Sequence, residues 1–125
     1  MVSSYTTRIR LEKQGDGENP NSWGTVLNQN VIDLVDEAIA AYTTVVVSSA
    51  DVTLTANDGT TDQSRSPFLE LSGTVSASLN VLVPQKSKSY VINDKTTRQN
   101  SAAITLKTAA GTGSTVAAGS RKMFL

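Results

Sequence analysis

Three pairs of carboxylates lie close together along the chain: Asp16 with Glu18, Asp33 with Asp36, and Asp58 with Asp62. Flanking acids are what glycoside hydrolysis requires, one to protonate the leaving oxygen and one to attack or to activate water. The first and third pairs sit among turn-forming residues, where aspartate commonly serves local hydrogen bonds. The second falls on the polar side of a helical pattern. Turn and surface readings are therefore preferred for all three. Ser87-Lys88-Ser89 sets a hydroxyl beside a lysine, but in a polar turn with nothing to position the base that a nucleophile needs. The chain has no histidine and no cysteine. That removes the side chain best suited to proton transfer near neutrality, the commonest transition-metal ligand and all thiolate chemistry.

Oxygen-rich loops are the remaining candidates for a ligand. Asp16-Gly17-Glu18-Asn19 and Asn57-Asp58-Gly59 lack the spaced acids of an EF-hand loop, so an ordinary turn is the better reading. Gly111-Thr112-Gly113-Ser114 matches a phosphate loop in composition only, without the Lys-Ser/Thr pair or a following helix. Trp23, the one tryptophan, reads as a packing anchor at a helix entrance rather than a sugar platform. The expectation is no catalytic residue, no metal site, no cofactor and no enzyme activity.

The elements that carry these residues follow from period and punctuation. Tyr5, Thr7, Ile9 and Leu11 alternate with Thr6, Arg8 and Arg10, the pattern of one half-buried strand. Lys13 to Asn21 is a loop with Pro20 inside it. From Trp23 the period becomes helical, with Ser22 as the expected N-cap. Leu27, Val31, Leu34, Ala38 and Ala41 form one apolar seam; Ile32, Val35, Ile39 and Tyr42 form a second beside it. Asp33, Asp36 and Glu37 lie opposite. The apolar arc is broader than the stripe of an ordinary surface helix, so the helix is expected to touch two neighbours at once.

After Tyr42 the chain reads as strands: Thr43 to Ser48, Val52 to Thr55, Pro67 to Leu71, Val75 to Val83, Tyr90 to Asn93, Ala103 to Thr108, and a last one beginning at Lys122. Asn57-Asp58-Gly59, Pro84 and the glycines at 111, 113 and 119 punctuate them. Short strands at short intervals predict a mainly β fold: an antiparallel β-sandwich or jelly-roll-like domain, preceded by one strand and one amphipathic helix. The expected division is 1–42 for strand, loop and helix, and 43–125 for the β-domain.

Composition bears on partners. Among the 125 residues, 38% are hydrophobic and 5% aromatic, lean for a monomer that must bury its own core, which points to stabilisation by other subunits. The formal net charge is zero, so no basic field draws in nucleic acid or an anionic membrane. No run approaches membrane-spanning length and the start lacks the apolar core of a signal peptide, so a soluble chain made in the cytoplasm is expected.

Gly17-Glu18-Asn19-Pro20-Asn21-Ser22-Trp23-Gly24, followed by Leu27 to Ala40, resembles a segment near the N-terminus of bacteriophage tail-fibre-like and related virion proteins. Val52-Thr53-Leu54-Thr55, Asp62 to Ser66 before Phe68-Leu69-Glu70-Leu71, Val81-Leu82-Val83-Pro84, Tyr90-Val91-Ile92-Asn93 and Ile104 to Thr108 are similar to that family in the same order. The resemblance implies a structural protein of the phage particle, a homotrimeric fibre or fibre adaptor joined to other tail or head proteins, made in the host cytoplasm and located in the virion. It implies no enzyme activity, and a chain that continues beyond Leu125. On that reading Leu27, Val31, Leu34 and Ala38 face sister subunits, with Trp23 fixing the helix entrance, while Ile32, Val35, Ile39 and Tyr42 pack on the β-domain. The alternative is a receptor- or glycan-binding module that meets a host surface glycan or protein through loops such as Asn57 to Ser66.

Overall fold

The computed structural model describes residues 3–124; Met1, Val2 and Leu125, and the expected continuation past Leu125, lie outside the described residues. Strand outweighs helix, at 31% against 15%. The start is a hairpin instead of one strand. β1 (Ser4–Tyr5) pairs antiparallel with β2 (Glu12–Lys13). Thr6 closes the turn twice: its amide donates to the Leu11 carbonyl at 2.8 Å, and its hydroxyl accepts from the Leu11 amide at 2.9 Å. Arg10 has a positive φ of 57°, which ends the alternation that suggested a single strand.

The helical segment is α1 (Trp23–Leu27), a π-helical turn (Asn28–Ile32) and α2 (Asp33–Ala40), in continuous succession. Ser22 takes the N-cap position, and its carbonyl accepts from the Val26 amide, but its side chain makes no capping bond. At Ala41 the backbone turns extended and the chain enters β3 (Tyr42–Val46).

From there three coils follow. The first contains β3 and β4 (Val52–Thr53). The second contains β5 (Phe68–Ser72), β6 (Thr74–Val75) and β7 (Leu79–Leu82). The third contains β8 (Tyr90–Asp94), β9 (Thr97–Arg98) and β10 (Ile104–Lys107). Corresponding strands stack in parallel: β3 on β5 on β8, β6 on β9, and β4 on β7 on β10. Tyr42 pairs with Phe68 and Phe68 with Val91; Val52 pairs with Val81 and Val81 with Leu106. The repeat is roughly 23–29 residues per coil, in the range of stacked solenoid units. Two antiparallel strands then end the stack: β11 (Ser114–Val116) on β10 and β12 (Arg121–Phe124) on β8.

The structure is therefore β-rich with one helical segment, but most of its strand pairing is parallel, not the antiparallel pairing expected. The expected long strand Val75 to Val83 is two strands, with a bend at Ser76 to Ser78 between two faces of the coil. Gly73 makes the other corner of that coil. It has a φ of 109°, and a Cβ there would collide with the Val47 carbonyl oxygen one coil below. Only glycine tolerates both demands.

The core lies inside the coils. Val45, Val47, Leu54, Leu69, Leu71, Val75, Leu79, Val81, Tyr90, Ile92, Ile104, Leu106 and Val116 are buried together. Alternation along each strand sends these inward and leaves their neighbours outside. Register puts Leu69 beside Ile92 and Val45 beside Leu71, so each coil covers the apolar rung of the last.

Candidate interaction face

One column of that register ends in a charge. Val45 and Leu71 are followed at the same position by Asp94, which is buried. Burial opposes its carboxylate. The Thr96 hydroxyl and amide, the Gly119 amide and the Arg98 guanidinium at 2.9 Å outweigh that, so the pKa is held below the ordinary value. The carboxylate thus ties the last full coil to the turn before β12.

A larger ionic knot joins the hairpin, the helix and the long loop between β4 and β5. Arg65 has no exposed side-chain surface. Its Nε donates to the Ile9 carbonyl at 2.7 Å, Nη1 to Thr60 O at 2.6 Å and Nη2 to Asn57 O at 2.9 Å. Asp62 Oδ2 lies 3.6 Å from Arg65 Nη2 and accepts from Arg10 Nη2 at 2.9 Å. Glu37 on α2 accepts from the Thr61 hydroxyl and the Asp62 amide and reaches Arg65 at 3.8 Å. Burial pulls the Arg65 pKa down, with Asp62 and Glu37 opposing the shift. The Tyr90 hydroxyl donates to the Ser64 carbonyl at 2.8 Å, and burial raises its pKa to about 12.

This knot uses up residues that looked available for chemistry or recognition. Asp62, Ser64, Arg65 and Ser66 are buried, so the Asn57 to Ser66 loop turns its middle inward to hold the helix. Among the described residues no group of three or more acidic side chains is arranged to hold a metal ion. No helix of the described residues is long and apolar enough to cross a membrane.

The helix seams fall differently from expectation. Leu34 is buried at 3% exposure, and Leu27, Val31 and Ala38 are half-buried, all within a single chain. Val35 is half-buried, but Ile32, Ile39 and Tyr42 are open, at 53%, 69% and 54%. The seam assigned to sister subunits is thus the better covered by its own chain, and most of the seam assigned to the β-domain faces out. Each seam keeps its face across the π turn at Asn28–Ile32, with Leu27, Val31, Leu34 and Ala38 on the covered side and Ile32 and Ile39 on the open one; what differs is which side its own chain covers. Tyr42 leaves the wheel altogether, because it opens β3. Trp23 is 51% exposed at the helix start and anchors little within the chain.

The exposed seam continues onto the coil. On the outer side of the β3–β5–β8 sheet, Tyr42, Phe68 and Val91 form one column in register. Phe68 and Val91 share a depression with Ala38 and Ile39 of the helix and with Ile9 and Pro67. Beside them the Tyr42 hydroxyl donates to Glu70 at 2.6 Å and accepts from Asn93 Nδ2 at 2.9 Å, which fixes the ring. The result is a strip of apolar side chains from helix to sheet, with a polar margin. Phe68 and Val91 were not marked out by sequence, because their place beside Ile39 depends on the stacking of coils. No family model, curated protein or solved structure matches this chain.

Proposed function

We propose that this chain is a structural, non-catalytic module of a bacteriophage particle: a fibre or fibre-adaptor domain that works as a homotrimer and attaches to other tail or head proteins of the virion. One observation carries the assembly half of that reading. The coil closes its own core, yet Ile39, Tyr42 and Phe68 remain exposed in one strip, Phe68 adjoining Ile39 on one side and Tyr42 on the other. Contiguous apolar surface rimmed by polar groups is the usual mark of a protein–protein contact. The resemblance of the Gly17 to Ala40 segment to virion proteins supports the phage half.

The contact proposed is therefore the Ile39–Tyr42–Phe68 strip, in place of the Leu27, Val31, Leu34 and Ala38 seam. Light scattering of the purified chain at micromolar concentration is expected to give a trimer mass. Ile39→Glu with Phe68→Glu is expected to give folded monomers, with the circular dichroism of the unmodified protein. A folded monomer for the unmodified chain would remove the trimer. A particle map without this chain at any fibre or fibre attachment would remove the virion role.

A further inference from the structure

A cleft of about 230 Å³ opens where the ends of β7 and β10 meet the loops that follow them. It is lined by Lys86, Lys88 and Lys107, and no acidic residue lines it. None of the three lysines belongs to an ion pair among the described residues. Asp51 lies within the field of Lys107, but its oxygens already accept from the Asn80 amide and Nδ2. One wall is apolar, built from Tyr90, Leu106 and Pro84. On another side Gly113, at a φ of 76°, packs so closely on the Leu106 carbonyl that a Cβ would not fit, which leaves backbone rather than side chain at the rim. The Lys88 ammonium stands 4.8 Å from the centre of the Tyr90 ring, a cation–π contact that holds the charge at the wall.

We infer that this cleft binds an acidic sugar residue, its carboxylate or sulfate held by the lysines and its ring laid against the half-buried Val83 and Pro84. Three unpaired cations beside a low-dielectric wall attract an anion more strongly than the same lysines in open water would. Lys88 is partly stripped of water, which lowers its pKa; Arg10 and Arg65 push the same way, and Asp62 opposes them. A bound anion would offset that cost. The volume is below the roughly 300–1,000 Å³ of a drug-sized site, which suits one ring-sized group over a long chain segment. The inference rests on neither the trimer nor the virion reading, since the cleft belongs to a single chain.

The test is an amide-shift titration of the ¹⁵N-labelled full chain with glucuronate, glucose and inorganic sulfate at low ionic strength. Glucuronate is expected to shift the amides around Lys88, Lys107 and Ser114 with millimolar affinity. Glucose and sulfate are each expected to bind at least five-fold more weakly. Lys107→Gln should weaken glucuronate binding about five-fold, and Lys86→Gln with Lys107→Gln further still, while the amides of β5 and β8 keep their positions. Equal binding of glucose would overturn the anionic requirement. Equal binding of sulfate would overturn the sugar ring. Binding that is absent, or unchanged in both lysine variants, would overturn the site.

Discussion

Arg65 is the side chain whose removal tests the architecture most directly, because one guanidinium holds three segments. Its donors satisfy Ile9, Thr60 and Asn57 carbonyls at 2.7, 2.6 and 2.9 Å. A hydrogen bond from a charged donor contributes about 1.5–3 kcal/mol, and a buried acceptor left alone costs about 1–3 kcal/mol. Summing three in full would overshoot, because Asn57 and Thr60 are exposed residues whose carbonyls can regain water. Asp62 is not orphaned either, since Arg10 still reaches it at 2.9 Å. The expected loss for Arg65→Met is therefore about 3–5 kcal/mol, the range for breaking a buried charged pair. Arg65→Lys keeps the charge without the three-way fork, and about 2 kcal/mol is expected. The assay is urea unfolding followed by circular dichroism, at one fixed protein concentration because association adds to apparent stability. With a slope of about 1–3 kcal/mol/M, the Met variant should lose about 1–5 M in midpoint, the larger figure for the shallower slope. A loss below about 1 kcal/mol for Arg65→Met would refute the reasoning. It would mean that desolvating the guanidinium had cancelled its contacts.

Of three further expectations, the two at glycines are independent of that knot. Gly73→Ala places a Cβ against the Val47 carbonyl at a φ that disfavours any side chain, so about 2–4 kcal/mol of destabilisation is expected. Gly24→Ala, in open space within α1, should instead stabilise by about 0.5–1 kcal/mol; the two can be compared in one set of urea melts. Tyr90 gives an alkaline signature. Its folded pKa is raised to about 12, so folding favours the neutral phenol. An unfolded tyrosine ionises near pH ~10. Its contribution is therefore complete below about pH 10 and lost as pH rises towards 12. Tyr90→Phe should be less stable at neutral pH by about 1 kcal/mol for the lost bond to Ser64, and should lose stability less steeply between pH 10 and 12 than the unmodified chain. Parallel pH profiles for the two proteins would contradict the assignment.

Local pattern carried a good deal of this. The residues of Pro67 to Leu71, Tyr90 to Asn93 and Ala103 to Thr108 were enough to place three strands, because strand-forming residue types and a period of two depend only on the local pleat. The helical pattern from Trp23 was equally legible, as was the absence of histidine and cysteine chemistry. Which strands pair was not. Tyr42, Phe68 and Val91 sit at one register position, yet the three sequences around them share little beyond alternation, and the turns between strands look like hairpin turns. Parallel stacking is decided by how successive coils bury each other's rungs, a contact between residues far apart in sequence. The helical wheel grouped Leu27, Val31, Leu34 and Ala38 apart from Ile32 and Ile39 as the structure does, but which group its own chain covers depends on where the rest of the fold packs. The fate of Asp62 and Arg65 was beyond reach altogether. A charge in a turn-rich loop reads as solvated, and only the meeting of hairpin, helix and loop supplies the partners that allow it to be buried. By itself the sequence determined which residues share a side of each strand, since that is set by adjacent bonds. Only the tertiary structure decided which strand lies above which, which face of the helix stays open, and which charges leave water, because those depend on long-range packing that no local window contains.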